Sequence, residues 1–198
     1  MRDQVAQEAA GLLYTGQEKE YKQAKLRAAK TLGANILPSN AEVARKLDCI
    51  AEEREGEARQ RRLVQMRREA LQIMQVLKDF HPILVGSVWR GTAHHHSDVD
   101  VIAYARSVKQ VVSTLRESGY SLTRMEVQKV TKSGTEEWSF HISASLPSHH
   151  HAEIVVRTPE ELNRHTTCEI YGDKATGLAI QQLRQVLEEN PTRKFVPD

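Results

Sequence analysis

Hydrophobic residues in the first third of the chain recur at helical spacing, with polar residues between them. Residues 2–33 are rich in Ala, Gln, Lys and Glu, which favour helices. Because glycine is unfavourable inside a helix, we predict breaks at Gly11 and Gly16 and a firmer helix over residues 17–32. The chain therefore opens with an interrupted helical segment.

A long helix is predicted next. Residues 39–42 (Ser-Asn-Ala-Glu) fit a capping box, and no proline follows until Pro82. A single helix over residues 40–79 would be about 60 Å long at about 1.5 Å per residue, so part of it should project. Gly56 is its expected kink. Its first turns carry an apolar stripe of Val43, Leu47 and Ile50. This stripe needs cover, either from the first helix folding back or from a second subunit.

Short apolar runs after residue 79 predict strands. They lie at residues 80–85, 98–104, 121–131, 137–145 and 152–156. A turn at residues 132–135 joins the third and fourth runs as a hairpin. Helical patterns cover residues 88–93, 107–118 and 174–189. The sequence thus predicts an α+β protein with a helical segment over residues 1–79 and a second domain over residues 80–198.

Composition and charge narrow the class only slightly. A net charge of +2 permits contact with nucleic acid but does not argue for it. No apolar run approaches the roughly 20 residues of a membrane span, and the N-terminus lacks the apolar core of a signal peptide. We therefore expect a cytoplasmic protein with no membrane partner. Cys49 and Cys168 show no paired spacing, so free thiols are favoured over a disulfide.

The candidate chemistry lies between the first two predicted strands. Gly86 has no Cβ, which lets a phosphate approach backbone N–H groups, and the hydroxyl of Ser87 can bond it. Asp98 and Asp100 are two residues apart in a strand, so both side chains leave the same face. Neighbouring carboxylates repel each other and suit a hard cation such as Mg²⁺ or Mn²⁺. This combination predicts metal-assisted phosphoryl or nucleotidyl transfer.

These motifs, in this order, resemble a known superfamily. A strand, Gly86-Ser87, Arg90-Gly91 and then Ser97-Asp98-Val99-Asp100 is similar to the nucleotidyltransferase superfamily, which includes DNA polymerase beta, the CCA-adding enzymes and the minimal nucleotidyltransferases. The resemblance covers residues 79–157. It implies a small mixed-sheet palm with helices on one side, preceded here by the long N-terminal helical segment. It also implies that Gly86 and Ser87 hold the triphosphate of ATP or another NTP, while Asp98 and Asp100 bind Mg²⁺ or Mn²⁺.

The same resemblance implies a third acid on a neighbouring strand. Glu153 is the candidate because it is the only acid in the last apolar strand. The superfamily usually has Asp at this position, and Glu is one methylene longer, which would shift the metal spacing. The alternative is that Glu153 is an edge-strand acid facing water. Arg90 also has two open interpretations, because it can reach a phosphate or pair with a core carboxylate.

Two histidine triplets flank the motif, at residues 94–96 and 149–151. Three consecutive histidines do not easily face one metal ion, so we favour surface positions for most of them. The alternative is that one histidine contacts substrate. Trp89 and Trp138 can stack on a base, but no basic run between them completes a nucleic-acid platform.

The leading hypothesis is a metal-dependent nucleotidyltransferase. It would transfer AMP from ATP to a hydroxyl acceptor and release pyrophosphate. A protein acceptor is favoured over RNA, because only about 40 residues follow Glu153, too few for the RNA-binding domains of the larger superfamily members. The alternative is an antitoxin-like interaction module that works through its long N-terminal helix. A third hypothesis is a scaffold that forms a homodimer through residues 40–62.

Overall fold

The computed structural model of the chain describes residues 1–132, 135–164 and 166–197. Helices within these ranges are α1 (Arg2–Tyr14), α2 (Tyr21–Thr31), α3 (Asn40–Val76), α4 (Gly86–Arg90), α5 (Val108–Glu117) and α6 (Ile180–Glu189). The strands are β1 (Ile83–Val85), β2 (Val99–Tyr104), β3 (Ser121–Lys132), β4 (Thr135–Ser145), β5 (His151–Arg157) and β6 (Leu178–Ala179). None of the helices in the described ranges has the length and apolar character needed to cross a membrane.

The strands form one mixed sheet in the order β3-β4-β5-β2-β1-β6. Strands β2 and β5 are parallel, and the neighbours on either side of this pair are antiparallel. The predicted α+β class, with its mixed sheet and its N-terminal helical segment, is confirmed. Two residues of the predicted hairpin turn, Ser133 and Gly134, lie outside the described residues, as does the side chain of Trp138.

The first predicted helix break is wrong and the second is confirmed. Helix α1 runs through Gly11, whose neighbours Ala10 and Leu12 are buried. Burial of these flanking side chains offsets the roughly 0.5–1 kcal/mol that a glycine costs inside a helix. The chain reverses instead at Gly16, where φ is +69° and the left-handed conformation suits glycine.

Helix α3 begins and bends where the sequence predicts. The backbone N–H of Glu42 donates to Ser39 Oγ at 3.2 Å, and the Glu42 carboxylate accepts from the backbone N–H of Ser39 at 2.7 Å. At Gly56 the backbone leaves the helical region, with φ 49° and ψ −131°. Beyond this break, the guanidinium of Arg59 turns back to the carboxylates of Asp48 and Glu52. The helix is therefore two helical arms joined at a bend, not a straight 60 Å rod.

The residues that the structure describes form two separate hydrophobic cores. The first is rich in alanine and joins α1, α2 and the first arm of α3. It includes the predicted stripe of Val43, Leu47 and Ile50. The cover for this stripe comes from α1 of the same chain, and self-association through these helices stays a prediction. The second core lies between the sheet and the second arm of α3, together with α5 and α6.

Alternation along β2 and β5 separates the two faces of the sheet. The side chains of Val99, Val101 and Ile154 are fully buried against the helical layer. Residues between them, such as Asp100 and Glu153, belong to the opposite face. We call these the helix face and the open face. In the described part of the chain, the helices that share this core with the sheet are α3, α4, α5 and α6.

Several predicted boundaries move. Strand β1 is only three residues long, because Lys78–Phe80 form a 3₁₀ turn. Helix α6 begins at Ile180 instead of residue 174, since Leu178 and Ala179 first pair with β1 as β6. Only the interiors of these elements were visible in the hydrophobic pattern.

Candidate functional site

Strand register brings the three predicted acids to one place. Asp100 in β2 lies opposite Val85 of antiparallel β1 and beside Glu153 of parallel β5. Residues in register on parallel strands share a face of the sheet, so both carboxylates belong to the open face. Asp98 precedes β2 by one residue and is two residues from Asp100, on the same face. The negative charges of Asp98 and Glu153 both act on Asp100.

The glycine–serine turn lies directly against the second of these acids. Gly86 follows Val85, the register partner of Asp100, and has a φ of +71°. A Cβ added to Gly86 would lie 2.0 Å from Oδ2 of Asp100. No side chain larger than hydrogen fits there without moving that carboxylate. The backbone of the predicted phosphate-binding turn and the predicted metal ligand are thus immediate neighbours.

Crowding of the carboxylates changes their affinity for protons. Burial, followed by the charges of Glu153 and Asp98, raises the pKa of Asp100 to about 7. Burial also raises the pKa of Asp98, an effect that the charge of His151 opposes and that of Glu153 reinforces. The open face therefore holds negative charge at an energetic cost, which either a proton or a cation relieves.

A histidine on β4 orients the third acid. Nδ1 of His141 lies 2.7 Å from Oε1 of Glu153, and its Nε2 lies 2.9 Å from Oγ of Ser139. His141 is half-buried and lies two residues along β4 from Ser143, the register partner of Glu153. This role could not be predicted from the sequence, because the pairing of β4 with β5 must be known before His141 and Glu153 can be placed together.

The donor atoms of this site suit a hard divalent cation. Asp98 and Asp100 offer carboxylate oxygens, and the raised pKa of each reflects charge that a cation would neutralise. Within the described ranges, no group of three or more His, Cys, Asp or Glu side chains is arranged to hold a metal ion. One oxygen of Glu153 is engaged by His141. The residues thus fit an ion held by Asp98 and Asp100, with Glu153 as the neighbouring acid.

Asp98 and Asp100 open into a cavity of about 910 Å³, and Glu153 is not among the residues that line it. Gly86, Ser87, Asp98 and Asp100 line one side, and both histidine triplets contribute to its wall. The opposite side comes from the connection between α1 and α2, from the first arm of α3, and from residues 168–175. The wall is apolar at Leu47, Ile170 and Tyr171 and basic at Lys19. The helical segment therefore helps to form the cavity, a role that the sequence pattern did not predict.

Arg90 pairs with a carboxylate at the cavity wall. Its guanidinium is buried and donates to the carboxylate of Asp173 at 2.8 and 2.5 Å and to the carbonyl of Phe195 at 2.7 Å. It also lies 4.0 Å from the ring centroid of Trp89 and 5.1 Å from that of Tyr171. These contacts confirm the carboxylate interpretation, and the phosphate contact stays a prediction.

Two buried arginines of α3 hold α4 and the loop after it in place. The guanidinium of Arg67 donates to the carbonyls of Val88 and Trp89 at 3.1 and 3.0 Å. That of Arg59 donates to the carbonyls of Thr92 and Ala93 at 3.0 and 2.9 Å. Burial lowers the pKa of Arg67 to about 10, which still leaves it charged at neutral pH. Arg59 belongs to the charged run of residues 52–62, which in a helix usually faces solvent, yet it is only 3% exposed.

The first histidine triplet joins the two parts of the chain. The ring of His95 lies 4.6 Å from that of Tyr14 in α1, and its Nδ1 lies 2.9 Å from the Glu55 carboxylate. Burial, with the neighbouring charge of His95, lowers the pKa of His94 to about 4, so His94 is neutral at pH 7. A simple surface position was expected for most of these histidines. This is confirmed, since His95, His96, His149 and His151 are exposed, while His94 and His150 are half-buried.

Comparisons with known proteins give one family match. A family model described as a domain of unknown function (DUF4269) matches residues 68–169. No curated protein matches the chain. A solved structure of a cytoplasmic RNA terminal U-transferase is similar over 48% of this chain at 18% identity, with a TM-score of 0.33. This chain spans only 29% of that protein, and a likeness at this level carries no functional conclusion.

Proposed function

Because the chain belongs to the family described as a domain of unknown function (DUF4269), its activity must be inferred from its own site, and we propose that it is a metal-dependent nucleotidyltransferase. One observation carries this proposal. Asp100 lies between Gly86 and Glu153 of the parallel strand, and a Cβ at position 86 would meet its carboxylate. The predicted phosphate-binding turn thus lies against carboxylates that need a cation, which supports the pairing that nucleotidyl transfer requires.

Each predicted site residue has a role in this proposal. The backbone at Gly86 and the hydroxyl of Ser87 bind the triphosphate of the nucleotide, for which we propose ATP. Asp98 and Asp100 hold Mg²⁺ or Mn²⁺, and Glu153 completes the acidic set. The ion, when bound, neutralises charge on the phosphates and on the departing pyrophosphate. The ion pair of Arg90 with Asp173 fixes the end of α4 next to this turn.

The reaction follows from these positions. An acceptor hydroxyl attacks the α-phosphorus, the bond to the bridging oxygen breaks, and pyrophosphate leaves while AMP stays on the acceptor. The cavity wall formed by the helical segment and residues 168–175 confines the acceptor. We propose that the acceptor is a hydroxyl of a protein or an RNA.

Nucleotide binding is tested by thermal denaturation. Millimolar Mg–ATP should raise the melting temperature, because a ligand that binds the folded state stabilises it by RT ln(1 + [L]/Kd). The Asp98→Asn/Asp100→Asn double variant should lose the shift that depends on Mg²⁺. Asp79→Asn is the control, since Asp79 is exposed and lies in the 3₁₀ turn before β1. The absence of any shift in the wild type would favour an interaction module without catalysis.

Transfer itself is tested with labelled nucleotides. Each of the four NTPs, labelled at the α-phosphate, is incubated with the protein, Mg²⁺ and a mixture of cellular protein and RNA. Label should appear on a macromolecule, and the double aspartate variant should abolish it. Retention of transfer in that variant would contradict the mechanism.

A further inference from the structure

A buried glutamate anchors the loop that carries the second histidine triplet. Glu69 is on the second arm of α3 and is only 2% exposed. The backbone N–H of Ser148 donates to its Oε1 at 2.9 Å, and the Ser148 hydroxyl donates to its Oε2 at 2.5 Å. Nδ1 of His150 lies 2.6 Å from the same hydroxyl oxygen. Glu69, Ser148 and His150 therefore form a continuous chain of hydrogen bonds, which we call the Glu69 relay.

The relay determines which nitrogen of His150 carries the proton. A hydroxyl has one hydrogen, and in Ser148 the carboxylate of Glu69 takes it in a charge-assisted bond. The oxygen of Ser148 can then only accept from Nδ1 of His150, so Nδ1 is protonated in the neutral ring. The other nitrogen, Nε2, keeps a lone pair. This is the tautomer in which Nε2 accepts a proton.

His150 also lies in the wall of the proposed active site. It lines the same cavity as Asp98 and Asp100. Its charge acts on Asp98. The relay holds the ring at Nδ1 and connects it to α3 through Ser148 and Glu69.

We propose that His150 is the general base of the transfer reaction, with Ser148 and Glu69 as positioning residues. This inference rests on the proposed nucleotidyl transfer. Nε2 takes the proton of the acceptor hydroxyl while its oxygen bonds to the α-phosphorus and the α–β bridging bond breaks. The electron pair of that bond leaves with pyrophosphate, and the imidazolium then returns its proton to solvent. Atoms and charge balance without a further reactant.

Other ionisable groups face the same space and bear on the pH dependence. Glu69 reaches the relay from α3, and Asp98, which precedes β2, lines the same cavity as His150. His149 and His151 flank His150 in sequence, and Lys19 lines the cavity from the α1–α2 connection.

The tautomer is tested without any turnover. Nitrogen-15 chemical shifts of the histidine rings should show His150 with a protonated Nδ1 and an unprotonated Nε2 at pH 8. In Ser148→Ala this preference should disappear, and in Ser148→Thr, which keeps the hydroxyl, it should return. A wild-type His150 protonated at Nε2 instead would overturn the proposal.

The catalytic role is tested by single-turnover rates across pH 5–9 at saturating Mg–NTP. His150→Gln should slow transfer by about 100-fold or more, as expected when a general base is lost. It should also remove the fall in rate toward low pH. Ser148→Ala should shift the pH at which this fall occurs, and Ser148→Thr should restore the wild-type pH profile. His81→Asn is the control, since His81 is exposed and is not among the residues that line the cavity.

The outcomes separate the two proposals. If the wild type transfers label but His150→Gln has the same transfer rate and the same fall in rate toward low pH, His150 is not the general base. The proposal of nucleotidyl transfer then stands. If the wild type transfers no label from any NTP, nucleotidyl transfer itself fails, and the base role fails with it. A relay that only ties the loop to α3 would change stability in the Ser148 variants without moving the pH profile.

Discussion

The two faces of strands β2 and β5 share the same backbone but have opposite effects on the stability of the folded state. On the helix face, Val99, Val101 and Ile154 are fully buried among branched side chains. On the open face, Asp100 and Glu153 stand side by side, and the pKa of Asp100 is raised to about 7. One face lowers the free energy of the folded state, and the other raises it.

This difference shows how the site is supported. Burial of a Val or Ile side chain contributes about 1.5–3 kcal/mol, so the helix face supplies stability well beyond that of a single contact. The same register that buries those side chains forces the carboxylates of the open face together. The packing of the adjacent residues of each strand therefore offsets the cost of repulsion between the acids. Substitutions on the two faces should consequently separate stability from activity.

The largest loss of stability is expected from a substitution on the helix face. Ile154→Ala should destabilise the protein by about 2–5 kcal/mol, because Ile154 is fully buried and its removal leaves a cavity. Val155→Ala is the matched control, since Val155 is the next residue on β5 and is only half-buried. Chemical denaturation with urea measures both values. Equal losses for the two variants would refute the assignment of the faces.

Gly86→Ala should come next, because it combines an unfavourable backbone conformation with a clash. The positive φ alone costs about 1–2 kcal/mol for a residue with a Cβ. The added methyl would also meet Oδ2 of Asp100 at 2.0 Å. Gly33→Ala isolates the first term, since Gly33 has a φ of +61° and no atom within 4 Å of its added Cβ. Urea denaturation should show a greater loss for Gly86→Ala than for Gly33→Ala.

A double variant sharpens this test. Asp100→Gly removes the carboxylate that the new methyl group would meet. If the clash is real, Gly86→Ala should cost less in the Asp100→Gly background than in the wild type, by about 0.5–3 kcal/mol. Strict additivity of the two substitutions would show that Asp100 does not limit the residue at position 86.

Local patterns were sufficient to predict most elements of the fold. The capping box at Ser39, the bend at Gly56 and the alternation of β2 each depend on residues close in sequence, and all three are present. The break predicted at Gly11 is wrong because side chains next to it in α1 pack on other helices and stabilise α1. The first strand and the last helix were predicted too long, since pairing of β1 with β6 decides where each of them stops or starts.

The candidate site divides in the same way. The pair Asp98 and Asp100 and the turn at Gly86 are visible in the sequence because their geometry follows from strand periodicity. The contacts of His141 and the Glu69 relay depend on partners 12 or more residues away. Such contacts come from the sheet register and from the docking of α3, neither of which one sequence specifies.

A smaller effect is expected from the residue that orients the third acid. His141→Asn removes the ring that lies 2.7 Å from Glu153, so Glu153 is no longer fixed. Loss of an orienting partner of this kind typically lowers metal affinity by about 10–100-fold. Titration calorimetry with Mg²⁺ or Mn²⁺ measures this change. Unaltered affinity would exclude His141 from the proposed site.

A last effect should appear in the pH dependence of stability, and it has the opposite sign to those above. The folded-state pKa of Asp100 is about 7, well above its ordinary value of 3.8. Between about pH 4 and pH 7 the folded protein holds a proton that the unfolded chain has released, so this group makes stability fall as pH rises. Above pH 7 its contribution is constant. Asp100→Asn should remove this decline and raise the melting temperature at pH 8.

A rise in the pKa of Asp100 from 3.8 to about 7 corresponds to about 4 kcal/mol. The rise in melting temperature at pH 8 should therefore be on the order of 10 °C in a chain of this size. Melting curves of the wild type and Asp100→Asn, recorded from pH 4 to pH 8 without divalent ions, provide the comparison. His94 titrates in part of the same range with the opposite sign, because its folded-state pKa is about 4 and stability rises with pH above that value. The difference between the two proteins cancels that contribution. A difference that stays constant from pH 4 to pH 8 would mean that repulsion on the open face is not sustained by the helix face.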